Sequence, residues 1–289
     1  MSETLAERLV FIDFRLMFLG SVSRQDICNQ FSVSEPAATR DLATYRENRP
    51  ANLEYSHVER TYLVTHNFVP MFDHSGEQAL LMIAKGYFAL SKQGGRSMLR
   101  CDLPTQLDFP DARVVAAITK AISRKKILSI EYRSHSSGRT KRQIAPFALV
   151  DNGLRWHIRA YDRRRQRFSD FVIARISNPK IEEIDTLEEE QWEQDIQWNR
   201  IVELELVPHP KRPHAETPVF EYQMKNGVMT LKLRAAVAGY FLRRWNIDCS
   251  ADHNLEGNEY QLWLRNREAL YGVETLEIAP GYSGTKKAP

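Results

Sequence analysis

Apolar side chains recur at three- and four-residue spacing at Leu5, Leu9, Ile12, Leu16 and Leu19, so the chain opens on an amphipathic helix. Gly20 ends it, because a glycine takes positive φ without a Cβ clash. Ser23 with Asp26 three residues on, just before Ile27, predicts a capping box and a second helix reaching about Phe31. That helix buries Ile27 and Phe31. Ser32-Val33 makes a turn, and Ser34 caps a third helix with Glu35 and Pro36 in its first turn. The third helix runs through Thr39, Leu42 and Tyr45 and breaks before Pro50. The period then changes to two, with strands at 53–55 and Thr61–Val64 around a loop at 57–60.

From Ser75 to about Lys126 the pattern is helical again. Ala79, Leu80, Ile83, Tyr87 and Leu90 form one stripe, and Val114, Val115, Ile118 and Ile122 another. Loops are expected at Gln93-Gly94-Gly95 and over 103–110. Strands follow at 127–132, 142–150, 155–161 and 168–173. Turns at Ser136-Ser137-Gly138, Asp151-Asn152-Gly153 and Asp162-Arg163-Arg164 separate them. The Asn-Gly pair is a hairpin signal, since both positions accept positive φ. Four short strands in about fifty residues predict a small Sm- or SH3-like barrel. The acidic run 181–195 reads as a solvated helix at a domain edge; the alternative is a cover over the barrel. A strand at 202–207, a hairpin on Asn226-Gly227 leading into 228–233, a helix at 235–245, a strand at 259–264 and a flexible tail from Gly281 complete the chain.

Two short helices joined by a tight turn, behind a longer support helix and before a hairpin, predict a winged helix-turn-helix. The plain alternative is any three-helix bundle with a hairpin. Small Ala37 and Ala38 let the third helix approach a major groove, and Arg40 can reach phosphate or a guanine edge. The candidate DNA-contacting residues are Arg24, Ser34, Ala37, Thr39, Arg40, Tyr45, Arg46 and Arg60. Residues 1–70 carry seven arginines against nine acids, so the footprint is local: Arg24, Arg40, Arg46, Arg49 and Arg60 fall on the turn, reading helix and wing. Dimerisation would double the phosphate contacts.

Charge changes the picture further along. Residues 124–175 hold fourteen Lys and Arg against four Asp and Glu, a net of +10 in a chain whose total is +3. Such concentration implies an anionic partner. Arg142, Arg159 and Arg175 offer planar forks suited to phosphate. Tyr132 and Trp156 can stack a base, and Ser134 and His157 can orient a ligand by hydrogen bonds. Strand alternation places Trp156 with Ile158 on one face and His157 with Arg159 on the other. The expectation is Trp156 in the core, with His157 and Arg159 facing ligand.

Tyr132-Arg133-Ser134, Arg142-Gln143-Ile144-Ala145-Pro146, Trp156-His157-Ile158 and the Phe171 to Ile176 segment resemble successive blocks of a WYL domain. His157 and Ile158 stand where that family has its Tyr and Leu, so ligand identity does not transfer, and the His makes the site pH-sensitive. The resemblance spans nearly the whole chain. It implies an α+β multidomain protein: winged helix-turn-helix at 1–72, helical linker at 73–123, Sm/SH3-like barrel at 124–198 and an αβ extension at 199–289 that helps dimerise. It implies a bacterial regulator sensing a nucleotide or nucleic-acid effector, most similar to those beside the phage-defence operons BREX and CBASS.

Nothing in the sequence suggests an enzyme. GxxxxGK[ST], GxGxxG, GxSxG and HExxH are absent, and the eight histidines lack metal-ligand spacing. Asp162 and Asp170 read as turn residues rather than a nuclease pair. Apolar runs fall far below the ~20 residues that span a bilayer. No secretory signal is apparent, and three scattered cysteines fit a reducing cytoplasm. The expected partners are double-stranded DNA bearing an inverted repeat, a second copy of the chain and an anionic effector, without membrane or metal. The alternative is an RNA- or single-strand-binding protein acting through the barrel.

Overall fold

In the computed structural model, which describes residues 3–85, 99–101, 107 and 109–282, the opening apolar stripe forms α1 (Glu3–Leu19). It is buried over a wider arc than the stripe suggested: Phe11 and Phe14 join Leu9, Ile12 and Leu16 in the interior. A two-residue strand, β1 (Ser21–Val22), follows Gly20; nothing in the pattern announced it. Next come α2 (Arg24–Phe31) and α3 (Glu35–Asn48), then β2 (Leu53–Ser56) and β3 (Thr61–Val64). The strands pair in the order β1-β3-β2, the sheet of a winged helix. Ser23 forms the expected capping box with Asp26: its hydroxyl accepts the Asp26 N–H at 3.1 Å, and the carboxylate accepts the Ser23 N–H at 2.8 Å. Ser34 caps α3 through its carbonyl, which receives the Ala37 and Ala38 N–H groups, and its hydroxyl takes no part.

A carboxylate at the centre organises this first compact unit, residues 1–105. Asp13 is fully buried. It accepts the Tyr45 hydroxyl from α3, the Met71 N–H at 3.0 Å, the Phe72 N–H at 3.2 Å and a contact from His74 Nε2 at 2.8 Å. Asn52 extends the network, donating to the Tyr45 oxygen at 2.9 Å and to the Val69 carbonyl at 2.8 Å. A buried charge is tolerated only when donors surround it. One side chain thus joins α1, α3 and the segment that follows the wing. Helix α4 (Gly76–Lys85) comes next. The stripe positions Tyr87 and Leu90, the Gln93-Gly94-Gly95 loop and most of 103–110 lie outside the described residues.

In the second unit, residues 106–289, α5 (Ala112–Ser123) buries Val114, Ile118 and Ala121 against the barrel. The stripe expected as linker is therefore part of the barrel's core. The barrel strands are β4 (Lys126–Ser134), β5 (Gly138–Asp151), β6 (Trp156–Asp162), β7 (Arg167–Val172) and β8 (Ile176–Asp185), paired antiparallel in the order β7-β6-β5-β4-β8. Strand β8 corrects the helix expected over the acidic run, whose first part pairs with β4. Two register shifts along the β4–β8 pairing break the alternation that would have announced the strand. The rest of the run forms short 3-10 turns at Glu188–Glu190 and Trp192–Gln194. At the β5–β6 turn Gly153 alone takes positive φ, at 84°; Asn152 instead accepts the Leu154 and Arg155 N–H groups.

After α6 (Ile196–Asn199), β9 (Ile201–Pro208) runs between β10 (Met229–Arg234) and β11 (Leu262–Leu264). Asn226 and Gly227 both have positive φ, 52° and 74°, as a two-residue hairpin turn requires. Helix α7 (Glu216–Glu221), unannounced by any stripe, precedes them, and α8 (Ala235–Arg244) packs Ala238 and Leu242 beneath the sheet with Leu204, Leu206 and Leu264. Gly281 and Tyr282 belong to this body, with Tyr282 stacked on Arg267 and Cys249 N–H donating to the Pro280 carbonyl. The remainder of the expected tail lies outside the described residues.

Replacing Asp13 leaves four donors facing an apolar interior. Asp13→Ala should cost the first unit about 3–5 kcal/mol in urea unfolding, several times the loss from an exposed acid such as Glu47→Ala. Equal losses would show that the network is not stabilising.

Candidate nucleic-acid interface and barrel site

The reading helix sorts its side chains by burial. Ala38, Asp41, Leu42 and Tyr45 face the core, so Pro36, Thr39, Arg40 and Ala43 share the opposite, exposed face. On the core side, Arg8 of α1 donates to the Asp41 carboxylate in a bidentate pair, at 2.6 and 3.1 Å. That pair holds the Arg8 pKa above its ordinary value, first by hydrogen bonding. The Thr39 hydroxyl donates to the Glu35 carbonyl at 2.9 Å, leaving its methyl outward. Arg40 and Arg46 are exposed, with no carboxylate partner among the described residues, and Arg24 starts α2 exposed. Ser34 is exposed and Ala37 half-buried, while Arg60, at φ 53°, stands at the wing tip.

Tyr45 is the correction. It is 0% exposed and its hydroxyl is committed to Asp13, so it supports the reading helix from behind and reaches no DNA. Burial, and then the bond to Asp13, raise its pKa. An aromatic on the buried arc was legible from the periodicity, since Tyr45 lies three residues beyond Leu42.

In the barrel, the His157 and Arg159 face is covered by the chain's own C-terminal part. Arg159 is 3% exposed and donates to Asp195 at 2.7 and 3.1 Å and to Asp170 at 3.3 Å. Burial pulls its pKa down, and the carboxylates outweigh burial and hold it above the ordinary value. The Tyr240 hydroxyl of α8 donates to the other oxygen of Asp170 at 2.8 Å, and the Tyr240 ring lies 5.1 Å from His157, tilted 30°. His157 is 5% exposed; burial lowers its pKa against the carboxylate of Asp170, and its Nδ1 has no hydrogen-bond partner among the described residues. Trp156 reverses the expectation, being 46% exposed, while Ile158 is buried beside α5. Alternation was correctly read, but position 156 begins the strand, beyond the layer α5 covers.

The remaining expected ligand residues divide. Arg142 is buried in an ion pair with Asp162, and its Nε donates to Thr140 at 3.1 Å. Tyr132 is buried edge-on to Phe171, and its oxygen accepts the Val172 N–H at 3.2 Å. Arg142, Arg159 and Tyr132 are thus tied into the fold. Ser134 and Arg175 remain partly exposed, Arg175 lying 2.9 Å from His135 Nε2. Asp162 and Asp170, read as turn residues, are the counter-charges of these arginines. Sequence reasoning passed over Asp195, Glu190, Tyr240, Asp13 and Arg8. Asp13 alone carried a signal, an acid set between Ile12 and Phe14 in an apolar helix.

Three protein-family models match the chain: the BrxR transcriptional regulator winged helix-turn-helix domain over residues 4–85, the WYL domain over 113–181, and the BrxR transcriptional regulator C-terminal dimerization domain over 201–270. The DNA-binding transcriptional repressor CapW of Escherichia coli (strain KTE188) is 32% identical over 276 residues, 92% of this chain and 90% of that protein. CapW of Pseudomonas aeruginosa is 31% identical over 277 residues, 91% and 89% of the two chains. Among solved structures, the proteasome accessory factor PafBC of Arthrobacter aurescens is 18% identical with a TM-score of 0.27. The match covers 83% of this chain and 44% of that one, a likeness too slight to argue from.

Removing the Arg159 side chain strands Asp195 and Asp170. Arg159→Ala should destabilise the second unit by about 3–5 kcal/mol in urea unfolding, several times the loss from an exposed arginine such as Arg165→Ala; equal losses would refute this account of the pair. His157 gives a pH signature. Its pKa is depressed in the fold, so the unfolded chain takes up a proton that the folded one refuses as pH falls below about 6.5. Stability from neutral His157 is present above that value and declines below it. Urea titrations should therefore show a smaller acid-side loss in His157→Phe than in the wild type, and parallel curves would contradict the assignment.

Proposed function

The chain belongs to the family of the CapW and BrxR transcriptional regulators, and on that premise we propose that it is a DNA-binding repressor acting as a homodimer. The observation that carries the reading is the outward face of α3, where Thr39, Arg40 and Ala43 stand clear while Arg8 holds Asp41 on the core side. Two such helices in a dimer fit an inverted repeat whose half-sites lie about one helical turn, roughly 34 Å, or a multiple apart. Arg24, Ser34, Ala37, Arg46 and Arg60 flank the reading face and serve backbone contacts. The matched C-terminal dimerization domain supports pairing of the two chains. The target in this reading is the control region of the protein's own phage-defence operon.

An anionic effector, a nucleotide or nucleic-acid fragment, relieves repression through the barrel. Ser134, His135 and Arg175 are its accessible groups, with His157 and Arg159 behind Tyr240 and Asp195. Effector entry to that deeper face requires Tyr240 to move, which couples the barrel to the C-terminal domain. A tenfold change in operator affinity needs only about 1.4 kcal/mol of differential binding.

A mobility shift on the duplex upstream of the gene tests this reading. The wild type should give discrete, salt-sensitive complexes, and Arg40→Ala should weaken them by about 1–3 kcal/mol, roughly 5- to 150-fold. Equal binding to random duplex, with preference for single strands or RNA, would transfer the function to the barrel.

A further inference from the structure

The barrel's fourteen cations are not equivalent once folded. Carboxylates claim five of them: Lys126 by Asp185, Arg139 by Glu131, Arg142 by Asp162, Arg159 by Asp195 and Asp170, and Arg163 by Glu190. Three acids of the run after the barrel, Asp185, Glu190 and Asp195, thus answer its charge from within. The β6–β7 turn is different. Arg164, Arg165 and Arg167 are exposed there, and their side chains have no ion pair or hydrogen bond among the described residues. Only Arg163 of this turn is drawn inward, where Glu190 accepts its Nη2 at 2.8 Å and holds its pKa up by that hydrogen bond.

The turn is also fixed in shape. The Asp162 carboxylate, itself paired with Arg142, accepts the Arg164 N–H at 3.0 Å, and its carbonyl accepts the Arg165 N–H at 3.1 Å. Gln166 takes φ 50° and Arg167 re-enters the ladder opposite Asp162. The Arg163 N–H donates to the Gln143 carbonyl at 3.1 Å, pinning the turn to β5, where Lys141 adds an exposed cation two residues away. The backbone that carries these three guanidinium groups is thus already ordered, so binding phosphate costs side-chain rotamer freedom but little backbone entropy.

We propose that this turn is a second DNA contact, gripping duplex phosphates rather than bases. Residues 163–167 are Arg-Arg-Arg-Gln-Arg, without an aromatic to stack a base or an apolar side chain to enter a bilayer. That chemistry favours duplex phosphates over single strands or lipid. The turn contributes affinity without sequence preference, raising residence on DNA while α3 selects the site. This rests on the DNA-binding reading above.

The test uses the full-length protein with Arg164, Arg165 and Arg167 all changed to Ala, and a matching triple Lys variant. Affinity is measured by fluorescence anisotropy across a salt series on two long duplexes of equal length, one holding the operator and one of random sequence. On both, the Ala variant should bind at least about tenfold more weakly, with a log affinity–log salt slope shallower by about 2–3 for each engaged subunit, and the Lys variant should keep the wild-type slope. Unchanged affinity and slope on both duplexes would overturn the proposal, as would a loss confined to single-stranded DNA or RNA. If the wild type shows no preference for the operator, the repressor reading fails. The slope on the random duplex still decides the turn's role.

Discussion

A guanidinium taken out of water costs several kcal/mol unless carboxylates surround it, and Arg159 is almost completely enclosed. Its carboxylates come from two places, Asp170 on β7 and Asp195 at the start of α6, so satisfying one charge joins the barrel to the segment beyond it. Asp195 simultaneously caps α6, accepting the Gln197 and Trp198 N–H groups. Asp170 in turn holds Tyr240 of α8. Barrel, connector and C-terminal helix are thereby fixed to one another by groups that cannot separate cheaply. The aromatic contact between Phe147 of β5 and Trp198 of α6, 5.6 Å between centroids, closes the same seam from its apolar side.

This architecture alters the meaning of the barrel's charge. Counted along the chain, the excess points to one strongly anionic site. In the fold it separates into cations consumed by the protein's own acids and cations left outside, and the division follows geometry rather than composition. Forks suited to phosphate are equally suited to carboxylate, so Arg142 and Arg159 serve the fold with the chemistry that had nominated them for a ligand.

The elements were largely legible. Helix α3 and the β2–β3 hairpin follow from caps and alternation, and the Asn226-Gly227 turn was visible from its dipeptide. The illegible parts share a cause. Strand β8 carries Glu182, Glu183 and Asp185 and pairs with β4 through two register shifts, so its apolar positions fall off a two-residue period and it masqueraded as a solvated helix. Strand β1 has only two residues, too few to show a period. The roles of Asp13, Asp170 and Asp195 depend on side-chain partners between 11 and 70 positions away, and local pattern contains no information about such distances. Tyr45 illustrates the limit within a single helix. Its spacing from Leu42 indicated the core, whereas its place on a reading helix suggested DNA. The buried arc decided the matter, because the hydroxyl found Asp13.

The carboxylate of Asp13 has a mechanical side as well. It grips Tyr45 in the reading helix with one oxygen and the backbone at Met71 and Phe72 with both. The chain leaving the winged helix at His74 is therefore clamped to the same atoms that hold the reading helix in place. Torque applied to the chain downstream of the wing would not dissipate in a slack tether. It would turn α1, α3 and the segment at Met71 and Phe72 together as a solid piece.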